Sequence, residues 1–154
     1  MLFEKGAVTP LEFYTNARDL LAIPTSYEDF YAFYCDIFSL NPPVLDLYRR
    51  LRSRYKMALL SSTDVMRWTF IKRRFPEILF FEAYVLSFDQ GAMKPDPSVY
   101  REALHLTASR PETAVFVDDL EENVKGAEKM GLRGIVFGPQ TDLETELGRL
   151  GVTA

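Results

Sequence analysis

Apolar residues recur along this chain in two rhythms, and the change between them falls near residue 42. Over the first third they lie three and four residues apart, the spacing of a helix with one buried face. Thr9, Pro10 and Glu12 combine an N-cap, a first-turn proline and a capping-box partner, and Thr25 with Glu28 repeats the signal. Helices are predicted near 10–21 and 27–38. Asn41 and Pro42 open a third, in which Val44, Leu47, Tyr48 and Leu51 form an apolar face. Arg49, Arg50, Arg52 and Arg54 fall mostly on the other side and read as a solvated helix face rather than a phosphate-binding surface. From residue 56 short apolar runs alternate with helical patterns. "KMALLSS" (56–62) reads as a buried strand, and Thr63 begins a helix that stops before Pro76. A strand at "AYVLS", a long loop, a helix launched by Asp96 and Pro97, and the strand "AVFVD" follow. A helix ending at Gly131, the strand "RGIVF" and a last helix capped by Thr141 and Glu144 complete the chain. Four strands separated by helices predict an α/β fold, a Rossmann-like parallel sheet covered by helices on both faces. The change of rhythm divides it into a helical segment, 1–42, and the core, 43–154.

Composition narrows the functions open to such a fold. With 154 residues and 47% hydrophobic content the chain suits one globular domain with a small appendage. A net charge of -4 gives no general attraction to phosphate backbones or anionic lipid, so neither nucleic acid nor membrane is an expected partner. No run reaches the roughly 18 apolar residues of a membrane span, and the start "MLFEKGAVTP" has no basic segment leading into an apolar one. Cys35 is the sole cysteine, which excludes an internal disulfide and a thiolate metal cluster, and a reducing cytoplasm is the expected compartment. His105, the sole histidine, lies in the helical "YREALHLT" away from any strand end, so it reads as a surface helix residue and not as a base or metal ligand.

In parallel sheets covered by helices, ligands gather beyond the carboxyl ends of the strands. Ser61 and Ser62 follow the first strand, Lys94 lies in the loop after the second, and Asp118 with Asp119 follow the third. A hydroxyl and an ammonium group suit phosphate oxygens, and paired carboxylates suit a hard cation such as magnesium. Singly each has a plainer explanation: a strand-end turn, a solvated lysine, carboxylates at a helix N-terminus. Their fixed order is what points to phosphate chemistry. A receiver domain also uses acids, a hydroxyl and a lysine, but its acid pair follows its first strand and its lysine comes last. A P-loop requires G-x-x-x-x-G-K-[ST], which the stretch from Gly91 to Lys94 does not supply.

Three stretches, "MALLSST", "GAMKPDPSVYREAL" and "VFVDDLEENVKGAEKMG", resemble the second, third and fourth motifs of the haloacid dehalogenase superfamily of hydrolases, in its branch with a small helical cap. The resemblance implies that Ser61 would hydrogen-bond a transferring phosphoryl group and Lys94 would neutralise it. Asp118 would bind Mg2+ with Asp119 assisting, and Ser62 and Thr63 would stand beside the substrate, Ser62 where close relatives carry asparagine. The helical segment would be the cap, whose Tyr27, Phe30, Tyr31, Phe33, Tyr34 and Phe38 either form its core or line a substrate pocket. The implied reaction is magnesium-dependent hydrolysis of a small phosphorylated metabolite.

One part of the resemblance has no counterpart. The family's first motif is an apolar strand ending in Asp-x-Asp, whose first aspartate becomes phosphorylated. No Asp-x-Asp occurs ahead of residue 42, and Asp19, Asp29 and Asp36 lie within helical patterns. In the family that strand is central, between the strands that here carry Ser61 and Asp118. The expectations are therefore a chain with its beginning removed, a gap in the sheet, no activity from the chain alone, weak or absent magnesium binding, and self-association to fill the gap. The alternative is a non-catalytic remnant, or a binding or regulatory module, on the same scaffold.

Overall fold

The computed structural model describes residues 2–154. Three helices come first: α1 (Pro10–Leu21), α2 (Tyr27–Cys35) and α3 (Pro42–Leu51). The alternating part follows as β1 (Ala58–Ser61), α4 (Val65–Arg74), β2 (Ala83–Leu86), α5 (Ser87–Gln90), α6 (Pro97–Leu106), β3 (Val115–Asp118), α7 (Glu121–Lys129), β4 (Arg133–Val136) and α8 (Leu143–Arg149).

Local chemistry starts several of these helices. At α1 the Thr9 hydroxyl accepts from the Glu12 amide, and the Glu12 carboxylate accepts from the Thr9 amide in return, so two N–H groups with no helical partner are satisfied. Asn41 caps α3 by accepting from the Val44 amide. Three other starts are displaced by one residue from their predicted caps. Ser26 rather than Thr25 caps α2, Asp64 rather than Thr63 caps α4, and Asp142 rather than Thr141 caps α8. The long loop after β2 contains the short helix α5.

β1 pairs in parallel with β2 and β3 in parallel with β4, as two separate two-stranded sheets. Side chains alternate along each strand and so divide between two cores. Ala58, Leu60, Val85 and Phe116 pack with Val99, Tyr100 and Ala103 of α6 and Val124 and Ala127 of α7. Val115, Val117 and Ile135 pack with Leu47 and Leu51 of α3 and Leu143 and Leu147 of α8. Helices thus cover both faces, as a parallel arrangement requires. Between β1 and β3 the sheet is interrupted by a cavity of about 660 Å³ that residues 57–60 line on one side and 114–117 on the other.

A third cluster joins the helical segment to the rest. Phe3, Cys35 and Met66 are buried among Val8, Phe13, Tyr27, Phe30, Tyr31, Tyr34 and Phe70. Most of the aromatic face of α2 is therefore packing, whereas Phe33 is 87% exposed. Cys35 is a free, fully buried thiol, and burial pushes its pKa up to about 11. Among the described residues no helix is long and apolar enough to cross a membrane.

Candidate active site

The carboxyl ends of β1 and β3 meet at one side chain. Lys94 reaches in from the loop between α5 and α6 and donates from Nζ to the Leu60 carbonyl at 3.1 Å and to Asp118 Oδ2 at 2.6 Å. Two features aim this loop. Gly91 ends α5 at φ 67, a left-handed turn that glycine makes without cost. Asp96 starts α6 by accepting from the Ser98 amide at 2.9 Å. Behind Lys94, Gly126 of α7 leaves room for the loop: a Cβ there would lie 2.7 Å from Pro95 Cβ and 2.9 Å from the Tyr100 hydroxyl oxygen.

Asp118 is nearly enclosed, with 5% of its side chain exposed against 13% for Lys94. Its second oxygen, Oδ1, accepts from the Leu120 amide at 2.9 Å and from Asn123 Nδ2 at 2.8 Å. Burial pushes the Asp118 carboxyl up, but the Lys94 ammonium, the Asn123 amide and the Leu120 N–H outweigh it and hold the group below the usual carboxylate range. Asn123 is held in turn, because Tyr100 donates its hydroxyl to the Asn123 carbonyl at 2.8 Å, while the Asn123 Oδ1 is buried without a hydrogen-bond partner. Sequence reasoning left Asn123 unassigned. The signal available was a polar residue on the inner side of the helix that follows the acid pair.

Lys94, Asp118 and the exposed Asp119 border a cavity of about 850 Å³ walled by α3, the β4–α8 loop and the start of α8. Arg50 and Glu144, joined by two bonds of 2.8 Å, stand on its rim, so one residue of the predicted solvated arginine face also touches the candidate site. Ser61, Ser62 and Thr63 are not part of this wall, although Leu60 just before them is. They form the exit from β1. The Thr63 amide donates to Ser87 Oγ at 2.9 Å and the Ser87 hydroxyl returns a bond to the Thr63 carbonyl at 2.7 Å, which fixes the turn. Ser62 Oγ and Thr63 Oγ1 are buried without a hydrogen-bond partner. Such hydroxyls are left to satisfy a ligand or water. Asp64, fully buried, accepts from the amides of Met66 and Arg67 and from the Tyr34 hydroxyl at 2.8 Å, tying α2 to the same turn. His105 is exposed on α6, away from all of this.

The chain matches the family model of haloacid dehalogenase-like hydrolases over residues 7–131. It belongs to that family. The fold agrees: a haloacid dehalogenase family enzyme from Bacteroides thetaiotaomicron, solved as an aspartate-to-alanine mutant in complex with magnesium and inorganic phosphate, superposes with a TM-score of 0.85 at 25% identity. The match covers 94% of this chain and 78% of that one. Among curated relatives, glyceraldehyde 3-phosphate phosphatase of Pyrococcus furiosus is 33% identical over 70 residues, 44% of this chain and 29% of its own. Flavin mononucleotide hydrolase 1 of Arabidopsis thaliana is 36% identical over 62 residues, 40% of this chain and 25% of its own. The chain thus spans less than a third of the length of these curated relatives.

The Bacteroides enzyme is solved with magnesium, so the donor set here can be tested against that ion. Magnesium demands near-octahedral oxygen coordination. Among the described residues no group of three or more histidine, cysteine, aspartate or glutamate side chains gathers to hold a metal. Asp119 is open, but both oxygens of Asp118 already accept hydrogen bonds. The described residues thus offer such an ion Asp118 and the open Asp119, with no third side chain of these kinds gathered beside them.

Proposed function

We propose that this chain is the phosphate-binding and acid-bearing part of a haloacid dehalogenase-type phosphatase acting on small phosphate esters, and that its aspartate nucleophile is not among these 154 residues. The reading rests above all on one observation: Lys94 Nζ lies 2.6 Å from Asp118 Oδ2 where the ends of β1 and β3 converge on an open cavity. A fixed ammonium group beside that cavity can receive the charge of a phosphoryl group. Relatives named for glyceraldehyde 3-phosphate and flavin mononucleotide support a phosphate ester as the substrate class. Nowhere in the sequence does Asp-x-Asp occur, and covalent phosphoryl transfer needs a nucleophile.

In this reading Lys94 does two jobs. It neutralises the anionic substrate, and until substrate arrives its pairing with Asp118 keeps both side chains in place. Asp118 and Asp119 would present carboxylates to magnesium, whose remaining oxygens must come from the substrate, from water and from groups this chain does not carry.

Titration calorimetry with inorganic phosphate tests the assignment. Lys94→Ala and Lys94→Gln should each weaken phosphate binding by about tenfold or more, since a charge-assisted bond contributes about 1.5–3 kcal/mol. Unchanged affinity in both variants would remove Lys94 from the site. Aryl phosphate turnover by the chain alone, lost on Asp118→Asn, would show that a nucleophile is present after all.

A further inference from the structure

A serine where a helix starts commonly caps it. Ser87, the first residue of α5, does not: α5 has no side-chain cap, and the hydroxyl gives both its bonds to Thr63 instead. It accepts from the Thr63 amide at 2.9 Å and donates to the Thr63 carbonyl at 2.7 Å, with both residues buried. These two bonds stand in for a rung of the ladder. β1 and β2 pair in register as far as Ser61 and Leu86, where β2 turns into α5 and the buried N–H and C=O of Thr63 need another partner.

The chain that leaves the sheet at Ser87 returns to the same strand. α5 ends in the left-handed turn at Gly91, and Lys94 then donates to the Leu60 carbonyl of β1 at 3.1 Å and to Asp118 Oδ2 at 2.6 Å. Residues 87–94 are thus tied to the end of β1 twice, through Ser87 at Thr63 and through Lys94 at Leu60. Among the described residues no other side-chain hydrogen bond joins this stretch to β1 or β2. Gly6 presses on it as well: at φ 69 it lies so near that a Cβ there would collide with the Phe88 carbonyl oxygen, so α5 is held between that turn and the end of β1. A lysine carries its charge on a long flexible stem, and its ammonium group arrives at a fixed point only when the backbone beneath it is fixed. Charge-assisted bonds as short as the one to Asp118 tolerate little displacement.

We propose that Ser87 is a positioning residue for Lys94: by clasping both backbone groups of Thr63, its hydroxyl fixes the root of the 87–94 loop and so the point at which the ammonium group reaches the cavity. The consequence for phosphate rests on the assignment of Lys94 made above, whereas the placement of Lys94 by Ser87 stands on these bonds alone. A serine that merely ended the ladder would affect stability and leave Lys94 where it is.

The test compares the whole chain with Ser87→Ala, the near-isosteric Ser87→Cys, whose thiol is a weak hydrogen-bonding group, Lys94→Gln, and the double variant Ser87→Ala/Lys94→Gln. By NMR the Lys94 ammonium protons, sheltered by two acceptors, should exchange with water roughly tenfold faster in Ser87→Ala and Ser87→Cys. Calorimetry should show both variants binding inorganic phosphate about threefold to tenfold more weakly. In the Lys94→Gln background Ser87→Ala should lower phosphate affinity no further, while its effect on the urea midpoint persists, because the two positions are coupled in binding only through Lys94. An ammonium signal unchanged in Ser87→Cys overturns the inference, as does an equal loss of phosphate affinity from Ser87→Ala with and without Lys94. If Lys94→Gln itself leaves phosphate affinity unchanged, the phosphate reading of Lys94 falls, and the ammonium signal alone then decides whether Ser87 places it.

Discussion

Lys94 and Asp118 are two charges whose environment makes each depend on the other. With 5% of the Asp118 side chain exposed, removing Lys94 leaves a buried carboxylate short of its strongest partner. Lys94→Ala should therefore cost about 3 kcal/mol of stability in urea denaturation, far more than a surface lysine. The pH dependence follows with a definite sign. The Asp118 carboxyl is held below its unfolded value, about 3.9 for an aspartate, so the stability it contributes is complete above that pH and is lost as pH falls through the lower folded value. Urea midpoints of the wild type should fall below about pH 4, and Asp118→Asn should flatten that decline while lowering the plateau. Lys94 and Asp118, which the structure brings together, could be picked out in the sequence because Asp118 ends an apolar strand and Lys94 lies in the loop after another, whereas Ser61 and Ser62, chosen on the same ground, lie off the cavity wall. Asn123 could not be picked out, because what singles it out is a bond to Asp118 Oδ1 across a turn, and composition carries no record of that.

At the scale of elements, every predicted strand is found, while α2 stops at Cys35 rather than near residue 38 and several helices begin one residue from the predicted cap. The shifts share a cause. Thr25 and Ser26, Thr63 and Asp64, and Thr141 and Asp142 are adjacent pairs in which both residues can cap, and which one does depends on the angle at which the chain arrives. Thr141 instead accepts from the Gly138 amide at 2.9 Å, closing the loop before α8. The short α5 escaped notice because four residues carry too little periodicity. Contact between elements gives a sharper expectation than capping. Gly126→Ala on α7 places a methyl against Pro95 and Tyr100, at a cost of about 1–3 kcal/mol. The helix and the Lys94 loop must then separate, so thermal melts should show the loss of stability and calorimetry a parallel loss of phosphate affinity.

For the whole molecule, the break between the half-sheets and an acid pair with no third metal-binding side chain beside it among the described residues lie close together, where β1 and β3 stand apart. Magnesium alone should therefore stabilise the chain little. If the dissociation constant is about 1 mM or weaker, the ion at that same concentration adds no more than about 0.4 kcal/mol. A melting temperature that magnesium raises strongly, and that Asp119→Ala does not lower again, would contradict the donor set described here. The three leading helices and the alternating elements after them were legible as different rhythms, because the former show local periodicity and the latter are strands separated by crossovers.

The same division bears on how the chain acquires its structure. Each half-sheet is a strand, a crossover containing helix and a neighbouring strand, closed over a short stretch: Ala58 meets Ala83 and Val115 meets Arg133. Contacts this local form early, whereas pairings between distant segments set the slow step in most sheets. Among the described residues no ladder joins the halves, and the docking of helices and the reach of Lys94 help bring them together. Pulse-labelled refolding should accordingly find the amides between β1 and β2 and those between β3 and β4 protected in an early phase, with the Lys94 loop ordering last.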